Sequence, residues 1–154
     1  MSEKLEGTIL RNLLTSEEFY RKVVPFLKAE YFEDITERVV FEEIQDFSVK
    51  YEKVPTSEIV ILQLQQRNDL NEETYQTSVN QVKSYTTEWV DTDWLVDRTE
   101  KWCQERAIYN ALLQSIKIAD GGDKEISRDA IPGILQEALA VSFDEYIGHD
   151  YVQN

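Results

Sequence analysis

Residues 93–119 read DWLVDRTEKWCQERAIYNALLQSIKIA, without a glycine or proline to break them. Within this stretch Leu95, Thr99, Trp102, Arg106, Tyr109, Leu113 and Ile116 alternate four and three apart. That spacing keeps a row of side chains on one side of an α-helix. Trp94, Ile108, Leu112 and Ala119 lie to one side of the row. A helix with one buried face needs one stripe, so the broader pattern predicts either two neighbours or a central core position. Gly121-Gly122 follows where a C-terminal glycine cap belongs.

Downstream, Ile131, Ile134, Leu135, Ala138, Leu139, Ser142, Phe143 and Tyr146 again repeat at helical spacing. Pro132 is tolerable only in a first turn, so this second arm is expected to start near Asp129 or Ala130 and to span about 130–146. A short polar connection between two helices makes an antiparallel hairpin. Residues 91–147 are therefore read as a helical hairpin, with its long helix at about 93–119. Residues 148–154 lack periodicity and read as a frayed tail.

Upstream, residues 1–90 read as a small helical head. Leu5, Ile9, Leu10, Leu13 and Leu14 predict a first helix ending near Thr15. Thr15-Ser16-Glu17-Glu18 has the form of a capping box, with Thr15 as the cap and Glu18 reaching back. Phe19, Tyr20, Val23 and Val24 carry the second helix, which Pro25 disturbs by removing a donor. Glu30-Tyr31-Phe32-Glu33 is a short aromatic turn, and Asp34 with Glu37 signals the next helix. That third helix is expected to reach about Lys50, burying Val40, Phe41, Ile44, Phe47 and Tyr51. Val54-Pro55-Thr56-Ser57 starts a fourth, with Ile59, Leu62 and Leu64 as core candidates. Asn71 caps a fifth, carrying Tyr75, Val79, Val82 and Tyr85. No segment alternates with period two, so the fold class is all-α: a small helical head followed by a long antiparallel helical hairpin.

Of the 154 residues, 42% are hydrophobic and 11% aromatic, enough for a core. The formal net charge is -14. An acidic surface releases no counterions from a phosphate backbone, so a direct grip on DNA is not expected. The single Cys103 allows no intrachain disulfide. The opening MSEKLEG has no apolar signal-peptide core, and no window offers the roughly 18 apolar residues of a membrane span. A soluble intracellular protein is expected.

Chemistry is sparse. There is no glycine-rich phosphate loop of either common pattern. One histidine, His149, and one cysteine cannot build a thiolate or imidazole zinc site. A Cys103–His149 pair is arithmetically possible, but Cys103 sits mid-helix beside Trp102 and reads as a packing residue. The acidic pairs Glu17-Glu18, Glu42-Glu43 and Glu72-Glu73 are adjacent on helices and point apart. Trp89, Trp94 and Trp102 cluster around the start of the long helix and serve either as core or as interface anchors.

The order of these features resembles the N-terminal domain of DnaB-type replicative helicases. Ala29-Glu30-Tyr31-Phe32 stands where that family has an aromatic turn. Val40-Phe41-Glu42-Glu43-Ile44 matches its following helix core, and Val54-Pro55-Thr56 matches the start of the next helix. Glu105-Arg106-Ala107 resembles the signature of the family's first hairpin helix, and Ile131 to Phe143 resembles the second arm. Within the family the T-even-like phage branch is most alike, through the run Trp94 to Lys101 and the segment Ser142 to Asp150.

The resemblance implies a non-catalytic collar domain of a hexameric ring that encircles single-stranded DNA. Hairpins of neighbouring subunits would pair, giving a trimer of dimers. Trp102, Tyr109, Leu113, Ile116, Leu135, Leu139 and Phe143 are the expected subunit-interface residues. Primase and, in such phages, a helicase loader are the implied partners, in the cytoplasm of a bacterial host. No cofactor is expected in this chain; ATP and magnesium would belong to a RecA-like ATPase domain beyond a linker helix, before which the sequence stops. A competing reading is a free-standing acidic adaptor or DNA-mimic inhibitor. A P-loop in the reading frame after Asn154 would favour the helicase, and a stop codon the adaptor. A weak helix-bundle hydrolase comes third and would need a pocket of perturbed carboxylates.

Overall fold

The computed structural model describes residues 4–122 and 126–143. Seven α-helices occur among them: α1 Leu5–Thr15, α2 Glu17–Val23, α3 Ile35–Tyr51, α4 Ser57–Gln66, α5 Glu72–Lys83, α6 Thr92–Ala119 and α7 Ile131–Leu139. No strand is present among the described residues, so the fold is all-α. No helix among them is long and apolar enough to cross a membrane. The chain divides into two compact units, Met1–Val96 and Asp97–Asn154.

Side-chain caps set most of the starts in the first unit. Ser16 accepts from the Phe19 N–H at 3.2 Å, Thr56 from Ile59 at 3.1 Å, and Asn71 from Thr74 at 2.7 Å. Asp34 Oδ1 accepts from Thr36 at 2.7 Å and from Glu37 at 3.4 Å. Each cap covers an orphan amide at a helix start. The cap of α2 is Ser16, one residue later than the sequence suggests. Thr15 instead closes α1 and donates its hydroxyl back to the Arg11 carbonyl at 3.0 Å. Pro25 converts the end of α2 into a 3-10 turn over Val24–Phe26.

Helix α3 is the hub of this unit, packing against α1, α4, α5 and the 3-10 turn Ala29–Tyr31. Its Val40, Phe41 and Ile44 are wholly buried with Ile9, Leu10 and Leu13 of α1 and Val60 and Leu64 of α4. Phe32 stacks on Phe41 with ring centroids 5.1 Å apart. The Tyr20 hydroxyl of α2 bonds Ser48 of α3 and donates to the Lys53 carbonyl at 3.3 Å. Two expected core residues face water instead: Tyr51 is 51% exposed and Leu62 is 50% exposed. In α4 the buried positions are Val60 and Leu64, four apart, and Leu62 lies across the helix from them. Tyr51 is the last residue of α3, where Glu52 takes a left-handed conformation at φ 57° and turns the chain away.

In the second unit α6 ends on a glycine turn. The Gly122 N–H bonds the Lys117 carbonyl at 2.8 Å, and the Gly121 N–H bonds Ile118 at 3.0 Å. With Gly121 at φ +79°, this is the Schellman arrangement that satisfies the last carbonyls of a helix. Pro132 sits in the first turn of α7, preceded by the 3-10 turn Arg128–Ala130. Helix α7 closes at Leu139 rather than continuing to 146, so Ser142 and Phe143 lie past its end. Tyr146, His149 and the rest of 144–154 lie outside the described residues.

Candidate functional site: an apolar ridge on the long helix

The burial pattern of α6 follows from how two spacings travel around a helix. A row of i+4 steps winds by about 40° per step, whereas a heptad row stays on one side. Leu95, Thr99, Cys103, Ala107, Ala111 and Ser115 are all buried and follow i+4 steps. The covered side of the helix therefore turns by about 200° between Leu95 and Ser115. The heptad row does not turn with it. Its early members Leu95, Thr99 and Trp102 are buried at 1%, 0% and 5% exposure. Its later members Tyr109, Leu113 and Ile116 are 46%, 50% and 57% exposed. Leu112, at 47%, joins them. The changeover falls at Arg106, whose guanidinium lies 4.9 Å from the Tyr109 ring centroid and shields that ring's face.

Hydrogen bonds place the returning chain on the covered side of α6. Gln104 Nε2 donates to the Val141 carbonyl at 3.1 Å, and the Phe143 N–H donates to the Glu100 carboxylate at 2.8 Å. At the other end, Arg128 donates to the Ala119 carbonyl at 3.1 Å. The register is antiparallel: 141–143 lie beside 100–104, and 128 beside 119. The small residues Ala107, Ala111 and Ser115 lie on that side of α6, and Ala138 of α7 is buried. On a helical projection the stripe Tyr109, Leu112, Leu113, Ile116 is roughly 140° away from them. One returning arm cannot cover both sides.

The seven expected interface residues thus fall into two groups. Tyr109, Leu113, Ile116 and the 71% exposed Leu139 offer apolar surface. Trp102 and Phe143 are buried, and Leu135 is half-buried. Sequence reasoning placed Leu112 beside the stripe and left it out of the interface. Its place next to Leu113 on a helix that is polar at Gln114 was the available signal.

Other chemistry-bearing groups are engaged elsewhere. Cys103 is fully buried, and burial together with Glu100 pushes its thiol up to about 12, so it stays protonated. Between α3 and α4 lies an open groove of about 660 Å³ flanked by Glu42, Asp46, Phe47, Tyr51, Gln63 and Arg67. There Arg67 bonds Glu42 and Glu43 at 3.0 Å each and Asp69 at 2.7 Å. Burial raises the Glu43 carboxyl, and Arg67 opposes that rise. The Glu42-Glu43 pair is thereby tied up in an ion network. No group of three or more potential ligands able to hold a metal occurs among the described residues.

No family model matches the sequence. The chain is 30% identical, over 158 aligned positions covering 95% of its length, to a DnaB-like replicative helicase of Enterobacteria phage T4. It spans 32% of the length of that relative.

Proposed function

We propose, from this kinship with a DnaB-like replicative helicase, that the chain is the collar and assembly domain of a hexameric helicase. In this reading it has no catalysis of its own. ATP and magnesium chemistry belongs to the remainder of the ring protein, which acts in the cytoplasm of a bacterial host. Single-stranded DNA passes through the assembled ring without being held by this acidic surface.

One observation carries the reading: α6 bears apolar side chains on a side its own returning arm leaves open. A sister subunit offers the same ridge, and a two-fold axis brings Tyr109, Leu112, Leu113 and Ile116 against their copies. Pairs of hairpins would then build a trimer of dimers. Docking of primase, and of a loader, is proposed for the same collar on the strength of the resemblance.

Sedimentation velocity at micromolar concentration tests this. The parent chain is expected to populate dimers or larger rings. Leu113→Asp is expected to shift it to monomer, because a carboxylate facing its own copy in an apolar contact is strongly unfavourable. Leu113 is half exposed, so circular dichroism and the melting temperature should change little. A parent chain that is monomeric at every concentration would overturn the pairing.

A further inference from the structure

Residues 84–91, between α5 and α6, and the first turn of α6 hold two large side chains in water. Trp89 is 80% exposed and Trp94, in the first turn of α6, is 56% exposed. Indole carries more apolar surface than any other side chain, and displaying it forgoes burial that folding favours. The backbone beneath it is nonetheless held. Arg11, itself 4% exposed, donates to the Glu88 carbonyl at 2.7 Å. The Glu88 N–H bonds the Thr86 hydroxyl at 3.3 Å, and Asp91 caps α6 by accepting from the Trp94 N–H at 3.0 Å. A fixed backbone presenting exposed tryptophan is preorganised for contact, since little ordering remains to oppose binding.

The charge around these rings selects the partner. Glu88, Asp91 and Asp93 are the charged residues from 84 to 96, and all three are acidic, with Lys83 and Arg98 the nearest cations along the chain. Lys22 reaches Asp93 at 3.7 Å but is shared with Glu18 at 3.2 Å. Indole faces attract cations, guanidinium above all, and carboxylates bond the edge of the same group. Nucleic acid would also stack on indole, but three carboxylates repel its backbone.

We infer that the Trp89–Trp94 connection is a docking surface for a basic protein segment that lays arginine side chains on the two indoles. The site is independent of the α6 ridge.

Octa-arginine, octa-lysine and a single-stranded oligothymidylate are the probes, titrated by calorimetry into the 154-residue chain at low salt. Octa-arginine is expected to bind several-fold tighter than octa-lysine. Trp89→Ala with Trp94→Ala should weaken it by about tenfold or more, the loss of two stacked cation contacts. Trp89→Ala alone, which removes a mostly solvated side chain, keeps the test if the double variant loses its helical signal. Glu72→Gln with Glu73→Gln, which removes two negative charges away from the indoles, should leave binding within about twofold. Leu113→Asp should bind octa-arginine as the parent does, which separates this site from the assembly ridge. Equal affinity of parent and tryptophan variants for octa-arginine would overturn the inference. So would oligothymidylate binding lost with the tryptophans, or dissociation of a dimer by the same variants.

Discussion

Glu37 shows how one side chain can tie the head's stability to pH. It is 7% exposed on α3, and burial, aided by Glu6 and Asp34, raises its carboxyl from 4.5 to about 7. Lys4 and a hydrogen bond with Gln81 oppose that rise. The folded state thus holds this proton more tightly than the unfolded state does. The stabilisation is complete below about pH 4.5 and is lost as pH rises through about 7. Glu37→Gln keeps the shape and removes the charge. Its melting temperature is expected to exceed the parent's at pH 8 by a few degrees (about 1 kcal/mol corresponds to several degrees in a small domain), with the gap closing at pH 5. Thermal scans across that range check this, and parallel curves for both proteins would refute it. Glu52 is the other telling residue, a left-handed non-glycine at φ 57°. Glu52→Gly should raise stability to urea by about 0.5–1 kcal/mol, because glycine adopts this conformation without a Cβ clash.

Among the elements, the glycine turn after α6 offers the cleanest test. A Cβ added at Gly121 would meet no atom within 4 Å, so Gly121→Ala isolates the backbone cost of φ +79°. A loss of about 1 kcal/mol is expected in urea unfolding, without loss of helical signal. This turn was readable in advance, as were the caps at Asp34 and Asn71 and the start of α4 near Thr56, because capping depends on a few adjacent residues. Ser16 was harder. It and Thr15 both carry hydroxyls, and only the geometry shows which one steps outside helical φ/ψ. Leu62 and Tyr51 were misplaced because hydropathy alone does not fix the phase of a short helix or its last turn. Helix α7 stops at Leu139 although the sequence carries helical spacing on to Tyr146, and past that point Val141 and Phe143 hydrogen-bond to Gln104 and Glu100. The heptad row of α6 was visible in the sequence, but its passage from covered to open was not. That passage depends on the small residues Ala107, Ala111 and Ser115, whose row winds around the helix while the heptad row stays.

Across the whole molecule, the charge of -14 gives the two surfaces opposite responses to salt. Two copies meeting along an apolar ridge bring like charges together, and added salt screens that repulsion. Dimerisation is expected to strengthen between about 50 and 500 mM sodium chloride, a range over which the Debye length falls severalfold. Arginine docking at Trp89 and Trp94 should weaken over the same range. Sedimentation and calorimetry on one sample series would show both trends, and two trends of the same sign would mean that one surface has been misassigned.

The winding of α6 also constrains change in the gene more than any single side chain does. One residue inserted between Trp102 and Tyr109 would rotate everything downstream by about 100°. The later part of the buried row, Ala111 and Ser115, would no longer continue from Leu95, Thr99 and Cys103, and the leucines would turn from their open side. Every amino acid would survive, yet neither face would find its counterpart. Point replacement is thus the milder kind of mutation in this stretch, and a shift in its length is expected to be the more damaging.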